Sequence, residues 1–132
     1  MPGIDECLLE AMRLPGARGA AVVDWTSGLT LGVVGESPGG DHETTAAEAA
    51  ELARLAAEHR CFAPADGSDW SGPDIPVEDL IISNSDSYHL LRFVPTTFDS
   101  SVFLHLWLSR VEGNLALARI RLGEMAGRLV LG

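Results

Sequence analysis

The chain contains no lysine. Its nine cations are all arginine, and 19 acids outweigh them to give a formal charge of −10 over 132 residues. Without lysine no G-x-x-x-x-G-K-[ST] loop can be written, so a P-loop NTPase is excluded. A chain this acidic repels phosphate, whereas nucleic-acid binding needs cations that displace phosphate counterions. Nucleic acid is therefore not an expected partner. No apolar run reaches the roughly 18 residues that a membrane span requires. The start, Met1-Pro2-Gly3-Ile4-Asp5-Glu6, has neither the basic nor the apolar region of a signal peptide. The two cysteines, Cys7 and Cys61, belong to no motif. These absences together predict a cytoplasmic protein whose cysteines are reduced packing residues.

What is present suits a globular domain. The hydrophobic fraction is 46% and the charged fraction 21%, which predicts a single domain over 1–132 with a real core. The charge is uneven: residues 1–90 carry 16 acids and four arginines, residues 91–132 three acids and five arginines. An acidic face either meets a basic partner patch or simply keeps the protein in solution.

The stretch Val102-Phe103-Leu104-His105-Leu106-Trp107-Leu108 is apolar at almost every position. A strand apolar on both sides is covered on both sides. It is expected to be a central strand with helices on each face. Around it, Ile4 to Arg13 has apolar residues at helical spacing, with Pro15-Gly16 ending the helix. Arg18–Trp25 and Leu29–Val34 read as two strands joined at Thr26-Ser27-Gly28, the second alternating Leu29, Leu31 and Val33 against Thr30 and Gly32. Residues 41–59 give the clearest helix. Asp41 is its candidate N-cap, and Thr45 with Glu48 forms an alternative capping box. Its apolar face is Ala46, Ala49, Ala50, Ala53, Ala56 and Ala57, widened by Leu52 and Leu55. A stripe of alanines lets another backbone come close, either the chain's own sheet or a second helix. Glu43, Glu48, Glu51 and Glu58 make the opposite face acidic, and Arg54 is placed to pair with Glu58.

Residues 61–76 carry three prolines, two glycines and three aspartates, a long exposed loop. Trp70 within it either staples the loop to the body or anchors a partner. Val77–Asn84, Tyr88–Val94 and Ser101–Ser109 read as three strands whose short connections make them antiparallel neighbours. Asn114 caps a last helix with Leu115, Ala118, Leu122, Met125 and Leu129 on one face, broadened by Leu117, Ile120 and Ala126. Gly123 and Gly127 inside it suggest close packing against the sheet or the first helix. The order is α-β-β-α-β-β-β-α.

Chemistry is sparse. Gly35-Glu36-Ser37-Pro38-Gly39 matches the G-x-S-x-G of a hydrolase elbow. There, the residue after the serine must donate its backbone N–H to an oxyanion, and Pro38 has none. A plain turn is expected instead. His42, His59, His89 and His105 are scattered. His105, in the central strand, reads as a hydrogen-bonded core histidine rather than a base. His59-x-Cys61 lacks a second ligand pair, so no zinc site is expected. Asp41 is accounted for by capping rather than by a metal. No cofactor, no metal and no catalytic residue is predicted.

Several strings resemble the roadblock (dynein light-chain) family, in its bacterial members: Leu14-Pro15-Gly16-Ala17-Arg18-Gly19-Ala20-Ala21-Val22-Val23-Asp24 with Ser27-Gly28-Leu29, then Asp79-Leu80-Ile81-Ile82 and Tyr88-His89-Leu90-Leu91-Arg92. Phe103-Leu104 and Asn114-Leu115-Ala116-Leu117-Ala118-Arg119 complete the likeness, which covers almost the whole chain. It implies an α/β (α+β) fold related to profilin-like and longin folds. The five-stranded antiparallel sheet would run in order 2-1-5-4-3, with the long helix on one face and the N- and C-terminal helices on the other. It also implies a homodimer in which the strand at 77–84 and the helix at 41–59 meet their twins. The interface would use Ala46, Ala49, Ala50, Ala53, Ala57, Leu80 and Ile82. It further implies a non-catalytic scaffold or regulator of a small Ras-like GTPase in bacterial signalling. That partner would contact Glu43, Glu48, Glu51, Arg54, Glu58 and Trp70. The loop at 61–76 is longer than family members usually carry. The alternative is a small-molecule-sensing profilin-like domain, with a ligand held under the Trp70 loop.

Overall fold

A computed structural model describes residues 3–64, 77–95 and 101–129. Trp70 and most of the 61–76 loop lie outside the described residues. Helix α1 spans Ile4–Ala11 and strand β1 Ala17–Asp24. Strand β2 spans Leu29–Gly35, helix α2 His42–Glu58 and strand β3 Asp79–Ser83. Strands β4 (Ser87–Phe93) and β5 (Val102–Ser109) and helix α3 (Leu115–Arg128) complete the expected order. Helix α1 stops two residues short of Arg13, because Arg13 and Leu14 donate their N–H groups three residues back, tightening the end into a 3₁₀-type turn.

Local chemistry accounts for the boundaries. In the β1–β2 turn the Asp24 carboxylate accepts from the Thr26 N–H (2.9 Å) and hydroxyl (2.7 Å), and Gly28 takes φ 78°. That left-handed conformation is cheap only for glycine. At the start of α2 the two candidate caps separate. Asp41 Oδ1 accepts from the Glu43 N–H at 3.0 Å, whereas the Thr45 hydroxyl turns away to Ser37 and the Pro38 carbonyl. Asn114 Oδ1 accepts from the Leu117 N–H at 3.0 Å and starts α3. Each cap satisfies an N–H group that has no partner within the helix.

The sheet order is β2-β1-β5-β4-β3, antiparallel throughout. β5 lies at the centre, as its two-sided apolarity requires. Val102, Leu104, Leu106 and Leu108 enter a core under α1 and α3, with Leu8, Leu122 and Met125. Phe103 enters a second core under α2, with Val23, Leu91 and Phe93. Burying each of these large side chains contributes about 2–3 kcal/mol. Arg119 Nε donates to Asp79 Oδ2 at 2.7 Å and ties α3 to β3, while Arg128 reaches Glu10 at 3.1 Å and ties α3 to α1.

Four local expectations are corrected. In β2 the apolar set Leu29, Leu31 and Val33 is the exposed one, at 42–66%. The half-buried positions are Thr30, Gly32 and Val34. Helix α1 lies directly on Gly32, where a Cβ would meet Ile4 and Leu8, and a bulge leaves Leu31 without a partner across the ladder. On α3, Ile120 is 60% exposed, and Gly127 faces open space; only Gly123 is closely approached, by the Arg92 guanidinium. Cys7 is a packing residue within the core, but Cys61 is exposed. Arg54 does not pair with Glu58; its guanidinium donates to the Trp25 carbonyl at 2.7 Å.

Candidate functional site

The ladder registers align side chains in rows across the face under α2. One row runs Val33 (β2), Ala21 (β1), His105 (β5), Leu91 (β4) and Leu80 (β3). The next runs Gly35, Gly19, Trp107, His89 and Ile82 in the same strand order. Directly opposed residues share a face. In the second row, β2 and β1 have no side chains to offer. The chain leaving β2 uses that gap: the Glu36 carbonyl sits where a Gly19 Cβ would stand.

Helix α2 lies over β1 and β2. Its Ala46, Ala50 and Ala53 pack into the core on the chain's own sheet, at 0–2% exposure, and Ala56 and Ala57 are buried as well. Of the two neighbours an alanine stripe admits, the sheet takes the first three. Ala49 is half-buried, packs against the margin of the same core and borders the groove on the β3 side. There, among the described residues, the face is open. A groove of about 320 Å³ runs between α2 and the β3 margin, lined by Thr45, Glu48, Ala49 and Leu52 from the helix. Ile82, His89, Leu91 and His105 from the sheet complete it, with Pro38 at one end. Ile82 is 41% and Leu52 37% exposed, while Leu80 is half-buried beside them. β3 is an edge strand, paired only with β4 among the described residues.

The acidic residues expected at a partner face lie on the outer side of the helix. Glu48 borders the groove. Glu43, Glu51 and Glu58 are exposed, and Arg54, half-buried, is occupied by Trp25 on the flank toward β1 and β2. At 100° per residue Glu51 lies about 60° and Glu58 about 80° from Glu48 around the helix, so these three share one outer side, with Glu43 farther round. Sequence reasoning did not find the groove, because it is made where a helix stops short of a sheet edge, and no local pattern encodes that offset.

The groove floor holds the one polar pair on this face that stands out. His105 is buried and its Nε2 lies 2.9 Å from His89 Nδ1, so one ring N–H donates to the other ring's nitrogen. His89 stacks on Trp107 (centroids 6.1 Å apart), and the Arg18 guanidinium lies 3.8 Å from the Trp107 ring centre. Burial, with a smaller contribution from His89 beside it, pushes the His105 imidazole down to about 4. Burial also lowers His89, against an opposing pull from Asp86. Both rings are therefore neutral near pH 7, and His105 is a hydrogen-bonded core histidine as expected. Among the described residues Ser37 and Thr45 line cavities with His105, but their hydroxyls are engaged with each other. The Ser37 hydroxyl is held by Thr45 (2.8 Å), His42 bonds the Gly35 carbonyl and His59 the Leu55 carbonyl. No group of three or more His, Cys, Asp or Glu among the described residues could hold a metal ion. Among these residues no helix is long and apolar enough to cross a membrane.

No protein-family model and no curated protein matches the chain. Solved structures do. An MglB with a tetrameric arrangement superposes with a TM-score of 0.71 at 17% identity, over 94% of this chain and 82% of that one. Myxococcus xanthus MglB gives 0.71 at 15% identity, over 93% and 81%. The gliding protein MglB from Thermus thermophilus gives 0.70 at 16%, over 94% and 83%. With the element order, the sheet order and the three helices matching over nearly its whole length, the chain has the roadblock/longin-like fold of the MglB proteins.

Proposed function

We propose that this protein is a non-catalytic dimeric module that binds and modulates a small Ras-like GTPase in a bacterial cytoplasm. The observation that carries the reading is the open β3 half of the α2 face. Among the described residues this is an exposed apolar groove beside an unpaired strand edge, a surface that soluble proteins rarely leave uncovered. A second copy related by a two-fold axis would bring Ala49, Leu52 and Ile82 onto their own counterparts and pair the two β3 strands. The MglB fold, one example of which is tetrameric, supports self-association. The exposed carboxylates of Glu43, Glu51 and Glu58 then remain outside the seam and offer a negative surface to a basic patch on the GTPase. Such a surface gives orientation and association rate more than raw affinity.

The test has two parts. Light scattering coupled to size exclusion gives the mass of the wild-type chain and of Ile82→Glu, which places a charge in the seam. A dimer that the substitution reduces to a folded monomer is the expected result; a wild-type monomer at 100 μM would overturn the dimer. Titration with the host's purified Ras-like GTPase, loaded with GTP or GDP, then measures affinity and hydrolysis rate. Glu51→Arg/Glu58→Arg should weaken binding at least tenfold and leave the dimer intact. No binding and no change in hydrolysis would overturn the GTPase reading. A second reading, a small-molecule sensor, is favoured by the groove's volume, which falls at the small end of ligand sites. It requires a monomer whose groove stays open and a ligand that raises Tm.

A further inference from the structure

We propose that the His89–His105 pair makes self-association through the α2–β3 groove pH-dependent, with the second copy released as the pH falls. This rests on the dimer reading given above. The pair lies on the floor of the groove that the second copy would cover. Its bond joins two neutral rings through Nδ1 of His89 and Nε2 of His105. An added proton goes to a ring nitrogen outside that bond and creates an imidazolium there. With the groove open, water solvates part of that charge. With Ala49, Leu52 and Ile82 of a second copy closing the groove, it does not, and a buried unpaired charge is costly. The closed form therefore binds protons more weakly than the open one, and linkage makes association weaken as protons are added.

The groups facing the pair set the balance. From α2, Glu48 borders the groove and favours a charged ring, as does Asp86 from the β3–β4 turn toward His89. On the other side of His105 a cavity of about 20 Å³ is lined by Glu36 and His42. From β1, Arg18 over Trp107 opposes a positive charge on the stacked His89. Leu91 and Ile82 bring none. At His89 burial outweighs the Asp86 carboxylate, and at His105 burial and the neighbouring His89 act in the same direction, so both imidazoles are held below the ordinary histidine value.

The sign of the effect is diagnostic. Two copies of a chain with charge −10 and pI near 4.6 repel each other less as the pH falls toward 5. General electrostatics thus predicts tighter association in acid, and the histidine pair predicts weaker. Sedimentation equilibrium at constant ionic strength, at pH 7.5, 6.5, 5.8 and 5.2, gives the dimer Kd, with far-UV circular dichroism checking that the chain stays folded. We expect a flat Kd above pH 7 and at least a tenfold rise by pH 5.2. His89→Gln should remove most of that rise, and ring-carbon NMR shifts should show His89 titrating at a lower pH in the wild-type dimer than in the uncharged variant Leu52→Gln/Ile82→Gln at a concentration where sedimentation shows it monomeric. A monomer at pH 7.5 overturns the dimer reading and this inference with it. A dimer with a Kd that is constant or falls in acid overturns the inference alone, as does an unchanged rise in His89→Gln.

Discussion

The same substitution, glycine to alanine, should have opposite effects at two positions of this chain. At Gly19 an added Cβ would fall on the Glu36 carbonyl oxygen, with that group's carbon 2.9 Å away. The obstacle is backbone, so no side chain can swing aside. The strand-to-helix crossover must move, and the Glu36 N–H bond to the Arg18 carbonyl (2.9 Å) lies on the moving segment. Overpacking of this kind costs about 1–3 kcal/mol and a lost backbone bond about 1 more, so Gly19→Ala should destabilise by about 2–4 kcal/mol. At Gly127 nothing lies within 4 Å of the added Cβ, and the residue sits in the last turn of α3. There alanine only removes the glycine penalty and should stabilise by about 0.5–1 kcal/mol. For a chain of this size 1 kcal/mol corresponds to roughly 3–5 °C in Tm. Thermal melts and urea unfolding at pH 7.5 should show Gly19→Ala lower by on the order of 10 °C and Gly127→Ala higher by about 2–4 °C. A Gly19→Ala protein within 0.5 kcal/mol of wild type would mean that the crossover does not press on β1. A destabilised Gly127→Ala would mean that this face of α3 is packed, not open.

Three further outcomes follow from named contacts. His105 is neutral in the fold, pushed down to about 4 from an ordinary value near 6.5, so the unfolded chain binds the extra proton. Its share of stability is complete above about pH 7, lost as pH falls from 6.5 to 4, and amounts to about 2 kcal/mol by pH 5. Urea unfolding of wild type against His105→Gln at pH 7 and 5 should show a smaller acid loss in the variant, and equal losses would contradict it. Asp41→Ala should cost about 1 kcal/mol in urea unfolding and Thr45→Ala less, because Asp41 and not Thr45 caps α2; the reverse order would mean the capping box forms. Leu106→Ala, fully buried in the central strand, should cost about 2–5 kcal/mol, and a calorimetric loss below 1 would place β5 at an edge.

Much of this fold was written locally. The two-sided apolarity of Val102–Leu108 fixed β5 as the covered central strand, because a strand buried on both faces has no polar side to show. Asp41 and Asn114 marked helix starts, since a short acceptor before an apolar repeat has few other uses. The α3 stripe of Ala118, Leu122 and Met125 and the hydrogen-bonded core histidine at 105 followed from the same kind of pattern. The absence of lysine and of a usable G-x-S-x-G serine likewise needed only the sequence. Periodicity, however, states which residues share a side and not what lies on that side. Only the tertiary structure decided that Ala46, Ala50 and Ala53 rest on the chain's own sheet, that Leu29, Leu31 and Val33 face outward because α1 sits on Gly32, and that Arg54 serves Trp25. His89 and His105 lie 16 residues apart and became one hydrogen-bonded pair only through the β4–β5 register. The groove above them exists because α2 is offset toward β2, a rigid-body placement set by the whole core and carried by no single stretch of residues.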